Sequence, residues 1–134
     1  MTLNKNLIIA VDFDGTIVED AFPKIGKPKM FAFETLKKLQ NKGHRLILWT
    51  YRHGTKLQDA IDFCEENGVS FYAINSSFPE EKFANGASRK INADIFIDDR
   101  NFGGFPGWGK IYQEITNSAP PKIENRKGFF GLFK

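Results

Sequence analysis

A chain of 134 residues with 41% hydrophobic and 26% charged side chains is long enough for one compact domain, and a domain of that size buries roughly two thirds of the surface its unfolded form exposes. The single cysteine, Cys64, excludes an intramolecular disulfide, and the expected setting is reducing and cytoplasmic. The formal net charge of +3 sits in residues 120–134, where Lys122, Arg126, Lys127 and Lys134 face only Glu124. Residues 1–119 carry fifteen basic and fifteen acidic side chains, so bulk charge does not call for a nucleic-acid partner.

Residues 7–13 (LIIAVDF) form a near-continuous apolar run ending in acid and glycine, the pattern of a strand buried on both faces of a parallel sheet. With Asp12 and Asp14 so close behind it, neither a signal peptide nor a transmembrane segment is expected. Pro28 suits a first helical position, Ala32, Leu36 and Leu39 recur at helical spacing, and Gly43 suits a left-handed cap. The spacing predicts a helix over about 29–42. A second strand follows over 45–50 (RLILWT), then a second helix over 58–67 with Leu57, Ile61 and Cys64 on one face and Gly68 as its stop. Residues 70–75 (SFYAIN) and 93–98 (ADIFID) read as third and fourth strands, with a polar, weakly patterned stretch between them. Ile111 and Ile115, four apart, mark a last helix over about 109–116.

Strands alternating with helices predict a three-layer, Rossmann-like α/β domain over residues 1–117: an open, mostly parallel sheet, right-handed crossovers, and helices on both faces. Residues 118–134, proline-containing and then basic and Phe-rich, read as a tail that is flexible or docked on the body or a second subunit.

Ligands of such sheets bind beyond the carboxyl ends of the strands. Those ends hold Asp12 and Asp14, Thr50, Asn75-Ser76-Ser77, and Asp98 and Asp99. Residues i and i+2 of an extended strand share a face, so Asp12 and Asp14 point together while Phe13 enters the core and Gly15 lets the chain turn away. Four carboxylates in one crevice repel unless a cation neutralises them, and an all-oxygen site with room for water and phosphate suits magnesium. Thr50 supplies a hydroxyl donor, and Lys90 or a neighbour a positive charge for a bound phosphate.

The ordered set Asp12-Phe13-Asp14-Gly15-Thr16-Ile17, Leu46-Ile47-Leu48-Trp49-Thr50, Lys90 and Ile97-Asp98-Asp99 resembles the four signatures of the haloacid dehalogenase (HAD) superfamily, over residues 7–112. The resemblance implies a magnesium-dependent phosphomonoester hydrolase in which Asp12 attacks phosphorus to form an aspartyl-phosphate and Asp14 is the general acid and base. It implies that Thr50 and Lys90 hold the phosphoryl group, with Gly15, Thr16, Tyr51 and Arg52 as further phosphate contacts. It also implies magnesium bound by Asp12, by Asp14 through its backbone carbonyl, and by Asp98, with Asp99 in a second shell. Lys90 lies eight residues before Asp98, closer than is usual in that family, and Lys82, sixteen before it, is the competing candidate. The 33 residues between Thr16 and Thr50 and the 39 between Thr50 and Lys90 leave no room for a cap domain. Residues 17–28 then form only a short flap, with Glu19, Asp20 and Lys24 near its mouth.

The same residues permit transfer of phosphate to an acceptor other than water, or a phospho-accepting regulatory module without turnover. The substrate is a phosphorylated small molecule or a macromolecular end, reached in an open site or closed over by a second subunit. Arg52 reads equally as a phosphate contact or a solvated loop residue, and His53 as a weaker candidate for substrate contact. His44 reads as a surface or turn residue, and Trp49 and Cys64 as core. Arg100 and Asn101 either tether the loop after the fourth strand or touch substrate.

Overall fold

The computed structural model describes residues 6–82 and 89–117; the tail expected at 118–134 lies outside the described residues. Four strands, β1 (Ile8–Val11), β2 (Arg45–Leu48), β3 (Ala73–Ile74) and β4 (Ile95–Ile97), form one all-parallel sheet in the order β3-β2-β1-β4. Three helices, α1 (Ala32–Asn41), α2 (Gly54–Glu66) and α3 (Trp108–Thr116), complete the described elements.

The register shows how the sheet divides its side chains. Ile9 pairs with Leu46 and Ile95, and Val11 with Leu48 and Ile97, so these residues share one face. Ala10 pairs with Ile47 and Phe96, and Ile47 with Ala73, on the other. The first face carries the main core: Leu36 and Leu39 of α1, Ala60 and Cys64 of α2, and Trp108, Ile111 and Ile115 of α3 all pack there. Each fully buried leucine or isoleucine contributes about 1.5–3 kcal/mol relative to exposure. The second face is covered by Ile91, with Tyr72, Ala93 and Phe96 around it, as the chain returns from β3 to β4. Helices were expected on both faces; among the described residues all three lie on the first.

Two helix boundaries differ from expectation for local reasons. The first helix begins at Ala32 rather than near 29, because the Lys29 N–H donates to the Ile17 carbonyl at 2.8 Å and Phe31 is left-handed at φ 68°. The second begins at Gly54, four residues early: extended His53 accepts the Leu57 N–H at 3.3 Å, and the opening residues, Gly54 to Lys56, show no apolar period. The strands are shorter than the apolar runs because the residues beyond Val11, Leu48 and Ile97 leave the ladder for the site, although Trp49 N–H still donates to the Val11 carbonyl at 2.9 Å and Asp12 N–H to that of Ile97 at 3.0 Å.

Cys64 is a core residue, as its helical spacing implied; burial pushes its thiol up to about 12, which disfavours the thiolate. His44, expected as a surface or turn residue, lies at the turn before β2 but not on the surface. It is buried, and its Nδ1 accepts the Leu7 N–H at 3.0 Å, fixing the chain before β1; burial, and then the charge of Lys42, lowers its pKa. His44→Ala strands a backbone donor, so it is expected to lower the unfolding free energy by about 1–3 kcal/mol in urea titrations, and a change within error contradicts that assignment.

Candidate active site

The chain proceeds from β1 outward to β2 and β3, then returns to place β4 on the other side of β1. The crevice at the carboxyl ends of β1 and β4 is therefore the switch point at which such sheets bind ligands. Beyond β1, Phe13 is fully buried and its carbonyl accepts the N–H groups of Ile17 (2.9 Å) and Thr16 (3.2 Å). Gly15 closes this turn at φ 87°, and a Cβ there would collide with the Asp99 carboxylate. The position requires glycine for both reasons. Residues 17–29 fold into a flap, in which Glu19 N–H donates to the Lys27 carbonyl at 2.7 Å and Val18 bridges both Asp14 and Pro28.

Thr16 was expected to contact phosphate, and the structure corrects this. It is fully buried: its hydroxyl donates to Asp12 Oδ2 at 2.9 Å and accepts the Asp99 N–H at 2.9 Å, and its carbonyl accepts Trp108 Nε1–H at 2.8 Å. Thr16 therefore clamps the end of β1 to the end of β4 and to α3.

Asp12, Asp98 and Asp99 each offer a carboxylate oxygen, and these oxygens lie within 4.8 Å of one another. Burial pushes the Asp12 carboxyl from its usual 3.8 to about 7; the Thr16 hydrogen bond opposes this shift, while the Asp98 charge and the nearby Asp99 carboxylate reinforce it. An all-oxygen, carboxylate-rich donor set fits a hard divalent cation. Asp99, expected one shell out, belongs to this group on the same terms as Asp98.

The Asp14 carboxylate turns elsewhere. Arg52 grips it with two charge-assisted bonds, Nε to Oδ2 and Nη2 to Oδ1, each 2.7 Å. The remaining Arg52 hydrogens go to the carbonyls of Pro23 (3.4 Å), Lys56 (3.1 Å) and Lys24 (2.8 Å). The guanidinium also lies 5.1 Å from the ring centroids of both Phe13 and Phe22. Arg52 is 1% exposed with all five N–H bonds used within the protein, so it is neither the phosphate contact nor the solvated loop residue that the sequence suggested. Its position was invisible to pattern reading because its partners come from β1, the flap and α2.

A cavity of about 370 Å³ opens over the cluster, lined by Asp12, Asp14, Thr50, Tyr51, Asp98 and Asp99 of the expected set. Thr50 Oγ1 accepts the Arg52 N–H at 3.1 Å, which leaves its own proton to donate. Asp20 of the flap, Trp49, Asn75 and Arg100 complete the lining. Trp49 had been assigned to the core; the signal that it is more than that is its place directly before Thr50. Lys90 is not a lining residue: it is exposed, with its ammonium 5.2 Å from the centroid of Phe96, whose ring meets Trp49 edge-on. Lys82 is also exposed, and His53 and Asn101 do not line the cavity.

Fold and site together define a parallel α/β protein with a carboxylate-lined cleft at its switch point. No protein-family model matches the chain, and no curated protein matches it. A solved structure of a conserved protein from Bacteroides thetaiotaomicron matches with a TM-score of 0.79 and 55% sequence identity, covering 84% of this chain and 92% of that one. The chain belongs to the family of that conserved protein.

Two measurements test this geometry. Arg52→Leu leaves the buried Asp14 carboxylate without its counter-ion, and is expected to cost about 3–5 kcal/mol of unfolding free energy, far more than replacing a solvated arginine. For Asp12, the unfolded chain ionises near 3.8 and the cation-free fold near 7, so between these values the fold holds the extra proton. The resulting stability is complete below the lower value and is lost as pH rises through the upper one. In chelator, the Tm advantage of Asp12→Asn over the parent protein should therefore grow between about pH 4 and about pH 7 and level off above it; a constant difference contradicts the shift.

Proposed function

We propose that the protein is a HAD-type, magnesium-dependent phosphomonoester hydrolase with an uncapped site. The observation that carries this reading is the division of the motif's two aspartates between different environments. Asp12 sits in the three-carboxylate group, and Asp14 is held apart from it by Arg52 on the same cavity wall. Paired carboxylates whose surroundings differ are suited to different tasks in one reaction.

Asp12 attacks phosphorus, and a bond forms between its carboxylate oxygen and phosphorus as the ester P–O bond breaks. The leaving oxygen takes a proton from Asp14, which enters this step as the carboxylic acid, having accepted the proton that the phosphomonoester monoanion brings on binding. A water molecule then attacks phosphorus, gives a proton to Asp14, and displaces the Asp12 carboxylate, which restores the starting state. Arg52 keeps the Asp14 carboxylate oriented throughout, and the Thr50 hydroxyl donates to a phosphoryl oxygen. Asp12, Asp98 and Asp99, with the Asp14 carbonyl, would hold magnesium, which supplies charge neutralisation for the phosphoryl group in this acidic cleft. Phe96 and Asp98 share a face of the β4 extension, so Lys90 above Phe96 lies on the side from which Asp98 projects; this favours Lys90 as the phosphate lysine.

Asp12→Asn is expected to abolish hydrolysis of an aryl phosphate while the far-ultraviolet circular dichroism spectrum is kept, and EDTA is expected to do the same reversibly on addition of magnesium. Undiminished turnover by Asp12→Asn removes the covalent mechanism. Lys90→Ala should reduce kcat/KM by at least about tenfold more than Lys82→Ala, in line with the usual worth of a positioned charge at a transferring phosphoryl group; the reverse order reassigns the lysine.

A further inference from the structure

The walls above the acids are chemically uneven. Of the ten lining residues, five are aspartates, and Thr50, Asn75 and Arg100 are polar; Trp49 and Tyr51 supply the aromatic surface. These two lie just beyond β2, two residues apart, and both line the cavity. Trp49 is braced by Phe96 at 6.3 Å between centroids, and Tyr51 by the flap residue Phe22 at 5.0 Å, in both cases edge-on. Tyr51 is nevertheless 59% exposed, a large ring held in place at the cavity mouth with little covering it.

Asn75 stands at the end of β3 on the same cavity. Its backbone is left-handed at φ 52°, its N–H donates to the Leu48 carbonyl at 2.8 Å, and its Oδ1 accepts the Thr50 N–H at 2.8 Å. A backbone N–H can only donate, so the oxygen of the amide must face Thr50 and the NH₂ group must point away from it. That NH₂ has no acceptor among the described residues, which leaves two fixed donors in a cleft otherwise rich in acceptors.

We propose that the site is built for phosphomonoesters whose leaving group carries a planar nitrogen heterocycle, with the ring against Trp49 and Tyr51 and a ring acceptor on the Asn75 amide. This rests on the phosphohydrolase reading above and deepens it. Aromatic walls favour flat rings by stacking and area burial, and an oriented amide discriminates in favour of ligands with an acceptor to offer. The acids of the floor are occupied by the phosphoryl end, so selection falls to the wall and to Asn75.

The test is a kinetic panel with saturating magnesium: uridine 5′-monophosphate and pyridoxal 5′-phosphate as heterocyclic probes, phenyl phosphate as a ring without an acceptor, and glucose 6-phosphate and glycerol 3-phosphate as polyol probes. Within the panel, kcat/KM for the better heterocyclic probe should exceed that for both polyol probes by at least about tenfold, the scale of a single good contact. In Tyr51→Ala the heterocycle-to-polyol ratio should fall severalfold, and Tyr51→Phe should restore it. In Asn75→Asp, which keeps the acceptor for Thr50 and removes the donors, the heterocycle-to-phenyl ratio should fall; because ratios are compared within each variant, a general loss of rate cancels. A polyol phosphate turned over as well as the heterocycles, or ratios unmoved by either substitution, overturns the substrate class while leaving the phosphohydrolase standing. Absence of turnover on every probe, phenyl phosphate included, overturns the hydrolase itself and this inference with it.

Discussion

The buried pair between Arg52 and Asp14 is the constraint on which the rest of the site depends. A guanidinium at 1% exposure is costly to desolvate, and it is tolerated because every one of its hydrogens meets an acceptor and its faces meet aromatic rings. Those acceptors belong to the end of β1, the flap and the first turn of α2. One side chain thereby fixes the angle at which the flap leaves the sheet, the place where the second helix begins, and the direction of the Asp14 carboxylate. Thr16 does the corresponding work on the other side, joining Asp12, Asp99 and α3 through one hydroxyl and one carbonyl.

Between these two clamps the acids are held closer than their charges favour. Asp12, with its carboxyl pushed up to about 7, shows how strongly burial and the neighbouring acids oppose ionisation when no cation is present. The stability required to keep such a group in place comes from the core below it, where Phe13, Val11, Leu48 and Trp108 are almost completely buried. A cleft assembled in this way is fixed before any ligand arrives, which is the condition under which aligned charges and donors lower a barrier rather than merely bind. Its mouth is formed by the flap and the ends of the strands, so specificity falls to few residues.

The architecture was legible because its determinants are local. The apolar runs at 7–13 and 45–50, the helical period through Leu36 and Leu39, and acids placed where strands end fix the parallel sheet and the crevice. The positions of Asp12, Asp98 and Asp99 followed from the same logic. Arg52 and the burial of His44 escaped because each is defined by partners distant in sequence, and a charged or polar residue in a loop reads as exposed until those partners are known; Thr16, taken as a phosphate contact from the resemblance, is instead defined by Asp99 and Trp108, which lie at the far end of the chain. The early start of α2 escaped because the residues that open it, from Gly54 to Lys56, carry no apolar side chain, and the turn is set by His53 rather than by a buried stripe. Asn75 was visible as a strand end, but its free donors depend on the Thr50 N–H that occupies its oxygen.

The central claim is that Asp12 becomes covalently phosphorylated while Asp14, oriented by Arg52, serves proton transfer. The most direct measurement is mass spectrometry of peptic fragments from Asp14→Asn protein quenched in acid during turnover of an aryl phosphate, where loss of the base slows breakdown of the intermediate. The account predicts a phosphoryl group on the fragment containing Asp12, labile to hydroxylamine and absent when Asp12 is replaced. Release of the aryl alcohol with no phosphoryl group on that fragment, or with one on another residue, contradicts it.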